Sequence, residues 1–262
     1  MADQISIFSC GGINLYSLPL DRLFAKSGEG FRHVVTVHAE IFVHAHTDQK
    51  LGKILQNTIN TIDGRVLQAL CKLLYPADKI LRQNGANFTP DLARHCIAHS
   101  QRLFLLGSTP NANALAAQAL RSQFPGIQVC GFSPPFGSYP FDPVWNGAIL
   151  REIERYRPHQ LIVCFGPLKQ EYWIHENADY LSRLGVLRAY GLGGTIDFLA
   201  GVKRRVPKWM EVIGTEWLFR LLCEPRARFG RTLTMFKMPY YVSRTPRRIR
   251  YITPDEYSSA GP

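Results

Sequence analysis

The chain has 262 residues, 46% of them hydrophobic, which is enough for one large globular domain. It contains no run of about 18 uncharged apolar residues, so no transmembrane helix is expected, and the acidic start MADQ is not expected to be a secretory signal. The net charge is +11, and from Gly201 onward there are 13 Lys and Arg against five Asp and Glu. This basic segment indicates a polyanionic partner: nucleic acid, an anionic membrane surface or diphosphate groups.

The predicted elements alternate between short apolar strands and helices. Strands are predicted at Gln4–Phe8, His33–His38, Arg102–Leu106, Ile127–Phe132, Leu161–Phe165 and Val186–Tyr190, and helices at Gly64–Leu74, Asn111–Gln123, Pro143–Tyr156, Lys169–Leu184 and Pro207–Cys223. This alternation predicts an α/β, Rossmann-like layered domain with a mainly parallel sheet over residues 1–200. Residues 201–262 are predicted to form a basic C-terminal appendage, helical or extended. The six scattered cysteines, none in a C-x-x-C pair, are interpreted as reduced structural thiols.

Three predicted strands stop at glycine, at Gly107, at Gly166 and at the run Gly191–Gly194. Ligands of open parallel sheets bind beyond the carboxyl ends of the strands, where glycine lets the backbone approach a phosphate. These junctions therefore predict a nucleotide or phosphosugar site. No dinucleotide fingerprint or P-loop is present, which disfavours a simple dehydrogenase or a P-loop NTPase.

Four blocks in a fixed order carry a family resemblance. They are RLFLLGSTPNANALAAQALRSQFPGIQVCG (Arg102–Gly131), FGPLKQEYWI (Phe165–Ile174), GLGGTIDFLAG (Gly191–Gly201), and RVPKW with GTEWLFRLLCEP towards the C-terminus. Together they resemble the WecG/TagA/CpsF family of bacterial sugar transferases, glycosyltransferase family twenty-six. VVTVHAEIFVHA (Val34–Ala45) and NTIDG (Asn60–Gly64) match the family more loosely.

The resemblance implies inverting transfer of a sugar from a UDP-sugar to a polyprenyl-diphosphate-linked saccharide, in exopolysaccharide or cell-wall polymer synthesis. It implies Asp63 as catalytic base, with Thr36 and Gln170 in the active site. His38 stands where the family usually has asparagine, and ANFTPDL (Ala86–Leu92) lacks an expected arginine; both departures concern acceptor recognition. The resemblance also implies a cytoplasmic enzyme, peripheral on the inner face of the membrane, whose basic C-terminal segment helps to bind the donor diphosphate.

The residues themselves allow more than one interpretation. Asp63 lies in a polar turn, where a carboxylate can act as a general base, but from the residues alone a cap of the following helix is the preferred interpretation, and only the resemblance reverses it. His38 could serve as a base or hydrogen-bond donor, or be structural. Asp197 is expected in the pocket, although a capping role, for which Thr195 is better suited, is the alternative.

The remaining candidate residues are expected to bind substrate. Lys169, Gln170 and Glu171 open a helix after a Gly-Pro turn; they could line a phosphate-binding mouth, although for Glu171 a solvated first helical turn is the preferred interpretation. The sequence contains no D-x-D pair, so neither a metal nor another cofactor is expected, and arginines are expected to neutralise the diphosphate. The substrate-binding set is Gly107, Gly166, Lys169, Gln170, Gly193, Gly194, Asp197, Arg220, Arg226 and Arg228.

The tail from Arg226 to Arg250 interleaves arginines with aromatic residues. This pattern suits a lipid interface, nucleic acid, or a tail docked on the domain. The expected partners are the UDP-sugar, the lipid-linked acceptor and an anionic membrane surface, with no nucleic acid; a homo-oligomer is left open. The alternative function is a non-catalytic Rossmann-like nucleotide- or nucleic-acid-binding protein with a basic arm.

Overall fold

The computed structural model describes residues 5–24, 30–203, 206, 210, 215–223, 225–253 and 256–257, apart from the side chains of residues 86, 216, 220, 226–228 and 231. The strands are β1 Ile5–Cys10, β2 Ile13–Ser17, β3 Arg32–Val37, β4 Ile59–Ile62, β5 Arg102–Gly107, β6 Gln128–Phe132, β7 Gln160–Cys164, β8 Arg188–Gly191 and β9 Arg248–Ile252. The helices are α1 Leu20–Phe24, α2 Ala39–His44, α3 Gln49–Gln56, α4 Arg65–Leu74, α5 Gly85–Ala98, α6 Pro110–Gln123, α7 Pro143–Tyr156, α8 Lys169–Glu176, α9 Ala178–Arg183, α10 Thr195–Leu199, α11 Glu216–Cys223, α12 Pro225–Met235 and α13 Met238–Ser243.

The described strands form one sheet in the order β6-β5-β7-β8-β3-β4-β2-β1-β9. Neighbours from β6 to β2 are parallel, whereas β1 runs antiparallel to both β2 and β9. The predicted α/β layered architecture with a mainly parallel sheet is therefore confirmed. Because β3, β4 and β8 are adjacent and parallel, their carboxyl ends meet at one edge.

The central strands are buried on both faces, as their continuous apolar runs predict. Within β3, Val34 packs into one core with helices α5 and α6, while Val35 packs into a second core with α2 and α4. A third core lies between the sheet and α7 and α8 around Trp173. All six cysteines are free thiols.

Local sequence signals set several helix ends. Thr109 accepts a hydrogen bond from the Ala112 backbone N–H at 3.2 Å, and Pro110 occupies the first turn of α6. The helix predicted over Lys169–Leu184 is instead two helices that meet at Asn177. The Asn177 amide donates to the Trp173 carbonyl at 2.8 Å and so helps to end α8 there.

Three strands are absent from the sequence prediction. β4 was missed because its polar residues are typical of a turn. In the structure the buried Asn60 amide donates to the carbonyls of Leu55 and Asn14, which satisfies it inside the sheet. β2 is a short strand, and β9 lies in the arginine-rich tail. β9 pairs with β1, so residues 201–262 contribute an edge strand to the same sheet. The division of the chain at residue 200 stays a prediction.

The helix predicted over Pro207–Cys223 falls partly outside the described residues, which include its last part as α11. Among the described helices, none is both long and apolar enough to cross a membrane.

Candidate functional site

A cavity of about 260 Å³ lies at the carboxyl ends of β3, β4 and β8. Its wall combines residues from these strand ends with others from α4, α5, α8, α11 and α12. Among the residues expected at the site, it brings together Thr36, His38, Asp63, Gln170, Gly193 and Gly194. Thr36 and Gly194 are far apart in the sequence, so it is the sheet topology that brings these residues together in one cavity.

Asp63 follows β4 directly and lines this cavity. Its backbone N–H donates to the Val37 carbonyl at 2.9 Å, which ties it to the end of β3. The Asn84 amide donates to Asp63 Oδ1 at 3.1 Å and so orients the carboxylate. The N-cap position of α4 belongs to Gly64, whose φ of +86° favours glycine. The helix-cap interpretation of Asp63 therefore loses its main support.

Thr36 and His38 flank the end of β3. The Thr36 hydroxyl is buried and donates to the Gly191 carbonyl at 3.0 Å, which joins the ends of β3 and β8. His38 is the N-cap residue of α2 but makes no side-chain cap hydrogen bond, and its ring lines the cavity. Thr36 is thus placed to hold the strand ends together, and His38 to meet a ligand.

A chain of hydrogen bonds runs from the cavity wall into the core. The Gly193 backbone N–H donates to Gln170 Oε1 at 3.0 Å, and Gln170 Nε2 donates to Glu171 Oε1 at 2.9 Å. A Cβ on Gly191 would lie 2.7 Å from Glu171 Oε1, so the carboxylate packs against this glycine of β8. The Gln170 amide is therefore fixed in one orientation, with its oxygen towards the glycine turn.

The interpretation of Glu171 as a solvated first-turn residue is wrong, because the side chain is 0% exposed. Burial raises the pKa of Glu171 to about 7, against the smaller lowering effect of the Gln170 hydrogen bond; the charge of Glu40 adds to the rise. Its Oε2 has no hydrogen-bond partner among the described residues. The only sequence signal for this role is its place beside Gln170 in the LKQEYW block.

Gly107 and Gly166 end β5 and β7 outside the cavity lining, although Pro167 belongs to it. Gly107 has a φ of +107°, and a Cβ there would lie 2.6 Å from the Cys164 carbonyl oxygen. Gly166 has a φ of +88°. Both turns thus need glycine for backbone reasons, and a substrate-binding role for these two residues stays a prediction.

Asp197 and Lys169 lie beside the cavity rather than in its lining. Asp197 accepts a hydrogen bond from the Ser108 hydroxyl and forms an ion pair with Lys203 at 3.1 Å. Lys169 donates to the Gly137 carbonyl at 3.1 Å, and its ammonium lies 4.1 Å from the centre of the Phe136 ring. Lys169 therefore contacts the loop before α7, while Asp197 borders the glycine turn; a substrate-binding role for either residue stays a prediction.

The side chains of Arg220, Arg226 and Arg228 lie outside the described part of the structure. The helices that carry them do reach the site, because Trp217 of α11 and Thr232 and Met235 of α12 line the cavity. Helix α12 packs against α2. The role of the three arginines in binding a diphosphate stays a prediction.

Several residues of the cavity were not foreseen from sequence. Asn84 belongs to no recognisable motif, Glu40 lies in the Val34–Ala45 segment without having been singled out as a site residue, and the sequence around Arg65 is that of an ordinary solvated position in the first turn of α4. Among the described side chains, no group of three His, Cys, Asp or Glu residues is placed to hold a metal ion.

Comparison with known proteins identifies related sequences. The family model of the glycosyl transferase WecG/TagA/CpsF family matches residues 12–251. An N-acetylglucosaminyldiphosphoundecaprenol N-acetyl-beta-D-mannosaminyltransferase of Staphylococcus aureus (strain MRSA252) is 28% identical over 231 residues, which cover 87% of this chain and 85% of the relative. The enzyme of the same name from strain NCTC 8325 / PS 47 is 26% identical over 229 residues, with the same coverage of both chains.

Proposed function

Because the chain belongs to the WecG/TagA/CpsF family of glycosyl transferases, we propose that it moves a hexose-type sugar from a UDP-sugar to a polyprenyl-diphosphate-linked saccharide. The product would enter an exopolysaccharide or cell-wall polymer. The names of the Staphylococcus aureus relatives, which combine a diphosphoundecaprenol-linked sugar with a mannosaminyl group, support this acceptor class. The observation that carries the proposal is that Asp63 and the Gln170–Gly193 pair line one cavity.

In the proposed reaction, Asp63 is the general base. The acceptor hydroxyl attacks the anomeric carbon from the face opposite the diphosphate, and its proton passes to the Asp63 carboxylate. The new carbon–oxygen bond forms as the bond to the diphosphate breaks, so UDP leaves and the anomeric configuration inverts. The hydrogen bond from Asn84 holds the carboxylate in position, and His38 is placed to bind the acceptor or the sugar.

The departing UDP needs positive charge and hydrogen-bond donors. The Gly193–Gly194 turn supplies backbone that a phosphate can approach, with Arg65 in the same lining. Arg220, Arg226 and Arg228, carried by helices that border the cavity, are proposed to complete the charge. With no D-x-D pair in the sequence, we propose that transfer needs no metal ion.

The test is UDP release from a panel of UDP-sugars with a short-chain lipid-diphosphate acceptor. Asp63→Asn is expected to lower release by about 10²- to 10⁴-fold, the usual contribution of a general base. The control Asp179→Asn, an exposed residue on α9, is expected to match wild type. Equal release by wild type and Asp63→Asn would refute the base assignment.

Two further readouts test the finer parts of the mechanism. A product with the same anomeric configuration as the donor would refute inversion. Complete loss of turnover in EDTA, restored by magnesium or manganese, would refute metal independence. No UDP release from any donor, with nucleotide still bound, would favour the non-catalytic binding protein.

We also propose that the protein is peripheral on the cytoplasmic face of the membrane, where a polyprenyl-diphosphate acceptor would be anchored. The concentration of positive charge from residue 201 onward supports this placement, since anionic headgroups attract such segments. Flotation with vesicles that contain anionic lipid is the direct measurement, and absence of the protein from the floated fraction would contradict it.

A further inference from the structure

A second, larger cavity of about 660 Å³ lies on the sheet around β9, β1 and β2. It shares no lining residue with the first cavity, which contains Asp63 and Gln170 and is called the sugar-transfer cavity after the function proposed for it above. Arg32 and Ile59, the first residues of β3 and β4, belong to its lining, whereas Thr36 and Asp63 near the other ends of these strands line the first cavity. At about 3.3 Å per residue, the two cavities are separated along each strand by about 13 Å.

The alternation of side chains along β9 places two arginines on the same face. Arg248 and Arg250 line the cavity together with Ile249 and Ile252. Ile249 also packs against the opposite core, and the Tyr251 hydroxyl donates to Asp78 at 2.7 Å. Residues two apart on a strand are about 7 Å apart, so both guanidinium groups can reach a single anion between them.

The strand register surrounds these arginines with uncharged neighbours. Arg248 lies opposite Ser9, which lies opposite Asn14, while Arg250 lies opposite Ile7, which lies opposite Tyr16. Across the three strands, the row Arg248–Ser9–Asn14 is therefore polar, and the row Arg250–Ile7–Tyr16 beside it carries an apolar and an aromatic side chain next to the arginine. A phosphate attached to an apolar group would match both rows.

The charge in this cavity is strongly unbalanced. Among its described lining residues are Arg32, Arg247, Arg248 and Arg250, with Glu256 as the one acid. Arg247, Arg248 and Arg250 are exposed, and within the described part of the chain their side chains form no salt bridge. The charges of Arg250 and Arg32 also reach Tyr16, where they partly offset the rise in its pKa caused by burial.

We propose that this arginine groove, defined by Arg32, Arg247, Arg248 and Arg250, binds a phosphate group independently of the sugar-transfer cavity. Guanidinium groups pair with phosphate through two parallel hydrogen bonds, which suits two arginines that face one space. The apolar floor of Ile7, Ile59 and Ile252 favours a phosphate carried by a lipid over one free in solution. The groove would be a site for the membrane association proposed above. Phosphate binding by the groove does not depend on that proposal; only the lipid as the source of the phosphate does.

The test compares wild type with Arg248→Gln/Arg250→Gln in two arms. One arm measures binding to phosphatidylglycerol and phosphatidylcholine vesicles, and the other measures binding of inorganic phosphate and glycerol 3-phosphate. Wild type is expected to bind the anionic vesicles only, and the double variant about 30-fold more weakly, given the usual contribution of each basic residue near an anionic surface. Arg248→Lys/Arg250→Lys, which keeps the charge but lacks the paired hydrogen bonds of the guanidinium, is expected to recover vesicle binding only in part; full recovery would indicate a general basic surface instead of a phosphate site.

The matched control is Arg151→Gln/Arg155→Gln, which removes two exposed arginines from α7 near the opposite edge of the sheet. This control is expected to bind vesicles as wild type does. UDP release on the short-chain acceptor should be unchanged in the groove variant, so that failure of the groove and failure of the sugar-transfer proposal are distinguishable. Thermal melting verifies that each variant is folded.

Each other outcome decides against part of the inference. Equal binding by wild type and the groove variant in both arms overturns it. Binding of glycerol 3-phosphate without vesicle binding supports the phosphate site and overturns a lipid source. A parallel loss of UDP release and vesicle binding in a folded groove variant overturns its independence from the sugar-transfer cavity.

Discussion

The sugar-transfer cavity and the arginine groove lie on the same sheet but are built in opposite ways. At the cavity wall, the buried Gln170 accepts a hydrogen bond from the Gly193 backbone and donates one to Glu171, which is buried behind it. In the groove, Arg248 and Arg250 are exposed on an edge strand. Buried polar groups are held by short hydrogen bonds and respond to protonation, whereas exposed charges act over longer range and are screened by salt. The two regions should therefore respond to different perturbations.

The largest effect expected on stability is a pH dependence that comes from Glu171. In the folded protein this carboxyl keeps its proton up to about pH 7, whereas in the unfolded chain it loses it near its ordinary pKa of 4.5. The folded state therefore binds more protons between these values, and the free energy of unfolding falls as pH rises through this window, by up to about 3 kcal/mol.

Glu171→Gln should remove this dependence, because the amide does not titrate. Urea unfolding at pH 5 and pH 8 measures it: the wild-type free energy of unfolding should drop relative to that of the variant. Glu154→Gln, which replaces an exposed glutamate on α7, is the control and should follow wild type. Parallel pH profiles for wild type and Glu171→Gln would show that the carboxyl is ionised inside the protein.

The next effect concerns the glycine against which the carboxylate packs. A Cβ on Gly191 would lie 2.7 Å from Glu171 Oε1 and 2.9 Å from Gln170 Nε2, so Gly191→Ala must displace both side chains. We expect a loss of about 1–3 kcal/mol in unfolding free energy, typical of overpacking, and at least about a tenfold loss of UDP release. Vesicle binding by the distant groove should not change.

Gly147→Ala in α7 is the matched control, since a Cβ there meets its nearest atom, Arg151 Nη1, at an ordinary 3.5 Å. It should raise stability by about 0.5–1 kcal/mol, because alanine is the better helix former. Wild-type activity in Gly191→Ala would mean that the Gln170–Glu171 pair has no part in turnover.

Salt should separate the two regions by an effect of intermediate size. Raising ionic strength from about 0.1 M to about 1 M shortens the Debye length from about 10 Å to about 3 Å. Vesicle binding through the exposed arginines should weaken by at least about tenfold, as for other polybasic surfaces. Turnover on the short-chain acceptor, measured with saturating donor and acceptor, should change by less than about threefold, because the buried network is screened much less. Equal salt sensitivity of vesicle binding and turnover would show that the two regions do not differ in how strongly salt screens their interactions.

The sequence predicted the strand ends and turns that surround the site better than the buried side-chain contacts behind it. Glycine at the ends of apolar strands indicated where the strand ends meet, and the turn at Asp63 indicated an available carboxylate. The burial of Glu171 could not be foreseen, because its space is provided by Gly191 on another element, and a first helical turn is usually solvated. The hydrogen bond from Asn84 to Asp63 could not be predicted either, because the two residues are 21 positions apart and no local pattern links them.

The groove was hidden for a related reason. An arginine-rich tail is typical of an appendage, and no local pattern shows that Arg248–Ile252 pairs with Ile5–Cys10 at the other end of the chain. Such long-range strand pairing depends on register and on the completed sheet. The basic charge of the tail was thus visible in the sequence, but its arrangement over Ser9, Asn14 and Tyr16 was not.

The smallest expected effect lies at the rim of the sugar-transfer cavity, where the ion pair of Asp197 and Lys203 is intermediate in exposure between the two regions. Their side chains are 21% and 40% exposed, so the pair is partly screened and should contribute less than about 1 kcal/mol. A double-mutant cycle of Lys203→Gln and Asp197→Asn, followed by urea unfolding at low and high salt, measures the coupling. A coupling energy that exceeds the Gly191→Ala effect and persists at high salt would contradict this expectation. It would show that the Asp197–Lys203 pair behaves like the buried Gln170–Glu171 network and not like the exposed arginines of the groove.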